Sequence, residues 1–151
     1  MPQSLAALYL HLVFSTKERR PFLQDKSLRD SLHQYLGGIS NTLECPPIRI
    51  GGVEDHVHVL ARFCRTLSLA EWVKELKRVS SAWVHQQVAS LATFQWQAGY
   101  GVFSVSQSNL DQVAEYVANQ EEHHRQFSFQ DELRSLFHKH QIEFDERYVW
   151  D

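Results

Sequence analysis

The 151-residue sequence predicts an α+β fold of the ferredoxin-like, split-βαβ kind: an antiparallel sheet with helices packed on one face, plus a further helix toward the C-terminus. Three observations predict it. Strand-like and helix-like segments alternate as strand, helix, strand, strand, helix, strand, then helices. The two central strand segments are joined by a turn region short enough for a hairpin. Each long helical segment carries its apolar residues on one stripe.

The first strand is Tyr9–Phe14 (YLHLVF), rich in strand formers and short enough to be buried. A loop with Pro21 follows. Leu28, Leu32, Leu36, Ile39 and Leu43 then recur at helical spacing. Gly37 and Gly38 lie inside that helix, each costing about 1 kcal/mol relative to alanine, and mark a close packing contact or a kink. Pro46 and Pro47 reset the chain. Ile48–Ile50 reads as a strand, Gly51–Asp55 as the turn region, and His56–Leu60 as the hairpin partner. Ser68-x-x-Glu71 is a capping box that opens a helix with Trp72, Leu76, Val79 and Trp83 along one stripe. Trp96–Ser106 is a glycine-interrupted aromatic strand region. Asn109 caps a helix with Leu110, Val113 and Val117 on its core face, and a shorter helix covers about Asp131–His138. The tail Ile142–Trp150 is too apolar to be free and is expected to dock. No repeat or linker divides the chain, so one domain spans 1–151.

No apolar run approaches the roughly 20 residues a membrane span needs, and the N-terminus lacks a basic segment followed by a cleavable apolar stretch. Cys45 and Cys64 have no CxxC partner and read as reduced thiols of a cytoplasmic protein. The net charge of −3 is uneven: residues 1–78 hold 11 Lys/Arg against 8 Asp/Glu, and residues 79–151 hold 4 against 10. Nucleic acid responds to local potential, and the basic groups gather at Lys17, Arg19, Arg20 and at Lys74, Lys77, Arg78.

Two constellations carry chemistry. On a strand, alternation puts the side chains of His56 and His58 on one face and those of Val57 and Val59 on the other. Two neutral imidazoles so placed can share a divalent cation; they can equally sit on a polar sheet face bound to nothing. Asp55 beside them reads as a ligand, an orienting partner or a turn residue. Tyr116 and Gln120, at i and i+4, share a helix face at the border of the buried stripe. A boundary tyrosine is also an ordinary packing residue. His123 shares the Tyr116 face, whereas His124 falls near the core stripe and reads as structural. His11, His33, His85, His138 and His140 show no usable spacing.

Taken together in order, the chain resembles the single-tyrosine His-hydrophobe-His (HUH) transposases of bacterial insertion sequences, including the repeat-associated tyrosine transposases. The resemblance rests on His11–Thr16 (HLVFST) followed by Arg19-Arg20-Pro21, on Asp55–Leu60 (DHVHVL), and on Lys74–Lys77 (KELK). It continues through Trp96–Val105 (WQAGYGVFSV), Tyr116–Gln120 (YVANQ) and Asp145–Trp150 (DERYVW). It implies that His56 and His58 are metal ligands, that Gln120 completes the site, and that Tyr116 is the nucleophile. The helix carrying Tyr116 is then the C-terminal nucleophile helix. The implied reaction cuts and rejoins single-stranded DNA through a 5′-phosphotyrosine, with hairpin-bearing DNA as partner, commonly in a homodimer and away from membranes. A free tyrosine hydroxyl titrates near 10 and attacks poorly at neutral pH. A divalent ion on the scissile phosphate answers that, and an open site of two imidazoles and an amide favours Mg²⁺ or Mn²⁺. DNA is expected on the sheet face, with Lys17, Arg19, Arg20, Lys74 and Lys77 for phosphates and Trp96 or Tyr100 for base stacking. Two rival readings are a non-catalytic single-stranded nucleic-acid-binding regulator derived from such a transposase, and a metal-dependent phosphoesterase in which water attacks.

Overall fold

The computed structural model describes residues 2–151. Strands β1 (Leu8–Ser15), β2 (Pro47–Gly52), β3 (His56–Phe63) and β4 (Gly101–Val105) form one sheet of order β2-β3-β1-β4 with every neighbouring pair antiparallel. This is the ferredoxin-like order. The sheet's central pair, β1 and β3, runs in register from Leu8 opposite Phe63 to Ser15 opposite His56. The long helices are α1 (Lys26–Thr42) and α2 (Leu69–Gln87), followed by α3 (Leu110–Ala118), the single turn α4 (Gln120–His123) and α5 (Phe129–Lys139).

Strand alternation sorts the side chains into two cores. Leu12 and Phe14 of β1 and Val57, Val59 and Ala61 of β3 face α1 and α2, where Leu32, Leu36, Trp72, Val73 and Leu76 are buried. The opposite face carries Val13 and Phe103, which meet Phe129, Leu133 and Phe137 of α5. Phe144, Val149 and Trp150 of the tail pack against this second cluster, so the tail docks as its composition demands. The sheet is thus covered on both sides, by α1 and α2 on one and by the C-terminal helices on the other.

Local chemistry explains the helix ends. Asp25 accepts from the N–H groups of Ser27 and Leu28 to cap α1, and Ser68 accepts from Glu71 N–H to cap α2; each such cap contributes about 1 kcal/mol. Helix α1 runs unbroken through Gly37 and Gly38, and a side chain on Gly37 would only touch Ile50 and Pro47. The buried stripe of α2 continues through Ser80 and Val84. Trp83, expected on that stripe, lies half-buried and stacks on Tyr35 with ring centroids 5.0 Å apart.

The region after Trp96 differs from expectation. Only Gly101–Val105 is strand, and Trp96 makes one isolated bridge to Thr16. Its buried indole N–H donates to Ser80 Oγ at 2.9 Å. Between them the chain loops outward, and Lys77 Nζ holds the loop by donating to the carbonyls of Gln97 and Gly99, each at 2.8 Å. Asn109 precedes α3 without a side-chain cap. Gly51 permits close docking of α3 on β2: a Cβ there would lie 2.0 Å from the Val117 carbonyl oxygen. Among the described residues no helix is long and apolar enough to cross a membrane. The two free cysteines lie closer than their separation in sequence suggests, with Cys64 N–H directed at Cys45 Sγ, 3.4 Å away.

Candidate functional site

The second face of the sheet brings the paired histidines under the C-terminal helices. His56 and His58 are both fully buried and point the same way from β3. Above them lie Tyr116 from α3, Gln120 from α4, His124 just after α4, and Glu132 from α5.

Helix α3 ends at Ala118, and Asn119 leaves helical geometry. The i, i+4 relation nevertheless survives the break, because Gln120 Nε2 donates back to the Tyr116 carbonyl at 3.2 Å. That bond aims the Gln120 amide oxygen at the histidines, 3.2 Å from His56 Nε2 and 2.9 Å from His124 Nε2. The Tyr116 hydroxyl donates to Glu132 Oε2. Its ring stands edge-on to His58 with centroids 5.8 Å apart. The phenol and the imidazoles therefore converge within one chain.

Glu132 is the hub. Its Oε1 lies 2.9 Å from His58 Nε2, 3.3 Å from His56 Nε2 and 3.2 Å from His124 Nε2. His56, His58, His124 and Glu132 each offer a ligand atom within 4.8 Å of the others, a donor set suited to a divalent metal ion. The electrostatics follow from burial and these contacts. Burial alone would push His56 down, but its bonds to Asp55 and Glu132 outweigh it and hold the ring up to about 9. Burial dominates at His58 and lowers it to about 4, against the raising pull of Glu132. Burial and the adjoining Glu132 charge hold the Tyr116 phenol well above its ordinary value. At Glu132, burial opposes ionisation, yet bonds from His124, His56 and His58 hold its carboxyl far below the usual range.

Each histidine of the cluster has a partner behind it. Asp55 accepts from His56 Nδ1 at 2.7 Å, the orienting role among its possible ones. His11 Nε2 meets His58 Nδ1 at 2.7 Å. His124 Nδ1 donates to the Phe127 carbonyl at 2.6 Å. In each case Nε2 is the nitrogen left facing the cluster. His123 lies at the edge, its Nε2 3.1 Å from Glu132 Oε2 but not aligned for a hydrogen bond.

Sequence reasoning missed three of these residues. Glu132 carried a readable signal: it is a lone carboxylate on the apolar stripe of α5, between Phe129, Leu133 and Phe137. His124, expected to be structural, reaches the cluster because the chain breaks at Asn119 and turns it inward. His11 sits one strand away from His58, and only the β1–β3 register brings them together.

The candidate DNA-contacting residues divide. Lys17, Arg19 and Arg20 follow the end of β1, where Ser15 pairs with His56, so they flank the site. Lys17 is exposed, Arg20 pairs with Glu18 at 3.2 Å, and Arg19 lies over the Trp150 ring. Lys74 is exposed on α2, the helix against the other face of the sheet. Lys77 is turned inward onto the 97–99 carbonyls, and burial lowers its ammonium to about 8. Trp96 is a core residue; Tyr100 is exposed. The histidine face of the sheet is roofed by α3–α5, so it offers no open platform for DNA.

Known proteins resemble this chain in sequence and in fold. A family model described as IS200-like transposase matches residues 4–120. A candidate transposase from Deinococcus radiodurans R1 has a similar structure, with 26% identity, TM-score 0.59, and coverage of 80% of this chain and 95% of that one. A REP-associated tyrosine transposase bound to a REP hairpin shares the fold at 10% identity and TM-score 0.53, covering 78% of this chain and 70% of that one. No curated protein matches the chain.

Proposed function

The chain belongs to the IS200-like transposase family, and from that premise we propose that it cuts and rejoins single-stranded DNA through a covalent bond to Tyr116. The observation that carries the reading is the hydrogen bond from the Tyr116 hydroxyl to Glu132, the same carboxylate that contacts His56 and His58. Any buried phenol needs an acceptor; what counts here is that the acceptor is the carboxylate shared with both histidines. The phenol of α3 and the paired imidazoles of β3 share one acceptor, so the candidate nucleophile and the candidate metal ligands belong to one cluster.

In this reading His56, His58 and Gln120 would hold a divalent ion, Mg²⁺ or Mn²⁺, which when bound would supply positive charge against the scissile phosphate. The protein's own groups do the rest. Asp55 and His11 fix the rings of His56 and His58 from behind. The Gln120–Tyr116 backbone bond ties the amide to the nucleophile helix. Burial and the Glu132 charge keep the phenol protonated at neutral pH, so it attacks only when its proton leaves; Glu132 Oε2 accepts its hydrogen bond and orients it. The new P–O bond to Tyr116 replaces the bond to the departing 3′-oxygen, which takes up a proton and leaves as a hydroxyl. A second strand's 3′-hydroxyl reverses the step and joins DNA. The bond energy is conserved, so no nucleotide cofactor is needed.

The substrate proposed is single-stranded DNA with hairpin ends, in keeping with the hairpin bound by the REP-associated relative. Lys17, Arg19 and Arg20, at the site's rim, are proposed to take its phosphates. Incubating the protein with such DNA and Mn²⁺ is expected to yield a covalent adduct visible as a slower band on a denaturing gel, and Tyr116→Phe is expected to abolish it. Equal adduct from the variant, or product without any adduct, overturns the assignment.

A further inference from the structure

The Gln120 site just described accounts for three ligands, yet two further side chains aim donor atoms at the same point. His124 gives the clearest case. The Phe127 carbonyl can only accept, so the proton of the neutral ring is on Nδ1. Its Nε2 then presents a lone pair to Gln120 Oε1 at 2.9 Å and Glu132 Oε1 at 3.2 Å. In that neutral form three acceptors face one another, and either a proton on Nε2 or a cation among them removes the conflict. A carbonyl or carboxylate on one ring nitrogen, with the other nitrogen left to ligate, is the usual support of a metal-bound histidine. His56 has it from Asp55, and His124 has it from Phe127.

The spacing agrees. Ligands about 2.0–2.2 Å from one ion stand about 3 Å apart, and Glu132 Oε1 lies 2.9–3.3 Å from the Nε2 atoms of His56, His58 and His124. Glu132 is also almost wholly enclosed, with 1% of its side chain exposed. A buried carboxylate is costly unless paired with positive charge.

Building on the proposed strand-transfer site, we propose that His124 and Glu132 are direct ligands alongside His56 and His58, forming a three-imidazole, one-carboxylate centre that takes a first-row transition cation in preference to Mg²⁺. The chemistry of the donors sets the preference. Mg²⁺ is a hard ion that favours oxygen and keeps its waters, whereas imidazole nitrogen suits the transition ions, of which Mn²⁺ is the hardest. Glu132 then has two tasks on two atoms: Oε1 faces the ion and Oε2 holds the Tyr116 hydroxyl.

The test is calorimetric titration of the metal-stripped full-length protein with Mn²⁺ and with Mg²⁺, in the absence of DNA. Mn²⁺ is expected to bind at least 10-fold more tightly. His124→Asn and Glu132→Gln are each expected to weaken Mn²⁺ at least 10-fold. Should either ligand variant lose its fold, a Mn²⁺-soaked crystal of the wild-type protein decides the matter. Anomalous density bonded to His124 Nε2 and Glu132 supports the centre, and density bonded only to His56, His58 and Gln120 overturns it. Equal affinity for Mg²⁺, or ligand variants that keep full Mn²⁺ affinity, also overturn it. The two readings fail separately: selective Mn²⁺ binding without a DNA adduct sinks strand transfer and leaves this centre standing.

Discussion

At the scale of single residues, the molecule holds several histidines in surroundings that resist their charging. His33 on α1 stands away from the cluster. Its Nε2 is buried without a hydrogen-bond partner, and burial, with the nearby Arg29 charge, lowers it from 6.5 to about 4. The unfolded chain therefore binds a proton that the folded chain refuses between those two values. The contribution of His33 to stability is complete above pH 6.5 and is lost as pH falls toward 4, by up to about 3 kcal/mol. Burial lowers His58 and His11 as well, so the acid limb has more than one source. Urea denaturation of the metal-free protein at pH 7.5 and pH 5 is expected to show lower stability at pH 5, with His33→Leu narrowing the gap. A gap unchanged by that substitution shows that His33 is not one of the groups responsible.

At the scale of elements, the site depends on how α3 is laid across the sheet. A Cβ on Gly51 would meet the Val117 carbonyl oxygen at 2.0 Å and Val117 Cγ1 at 3.3 Å. The first clash is with backbone, which cannot rotate away, so Gly51→Ala must lift α3 from β2. Overpacking of this kind costs about 1–3 kcal/mol, and the displacement is larger than reacting groups tolerate. The variant is expected to melt at lower temperature and to lose covalent adduct at least 10-fold; a variant that keeps full adduct shows that α3 docks elsewhere during reaction. Gly51 was readable from the sequence only as part of a turn, because the helix it accommodates arrives some 60 residues later. The same limit explains the rest of the site. His56 and His58 were legible because alternation on one strand is a local rule, and Tyr116 with Gln120 because helical spacing is another. The capping box at Ser68 and the docked tail were legible for similar reasons. Glu132, His124 and His11 join the cluster through the return of α5, the break at Asn119 and the β1–β3 register, none of which is a property of neighbouring residues. The Trp96 strand failed for the opposite reason: its β propensity was real, but the indole's bond to Ser80 and the glycines that follow take the chain out of the sheet.

At the scale of the whole molecule, the question is whose tyrosine serves whose histidines. The resemblance to HUH transposases allows either arrangement in a dimer. In this chain the helices that bring Tyr116 and Glu132 are held by their own subunit at several independent points. Arg29 of α1 donates to Glu121 of α4 at 2.9 Å and to the Leu23 carbonyl at 2.7 Å, binding the turn after α3 to the body of the protein. Val117 is fully buried against β2. At the end of the tail, the Gly99 N–H donates to the Asp151 carbonyl at 2.9 Å and the Arg19 guanidinium lies over the Trp150 ring, closing the segment after α5 onto the body of the protein. Exchange between subunits would have to break all of these before regaining them, while the cis arrangement keeps them. Tyr116→Phe and His56→Ala proteins, each inactive alone, are therefore expected to remain inactive when denatured together and refolded as a mixture. In a swapped dimer the mixed pair would rebuild one complete site, combining the intact tyrosine of one subunit with the intact histidines of the other. Adduct appearing in the mixture, linked to the His56→Ala chain, would place the nucleophile in trans and remove the cis reading.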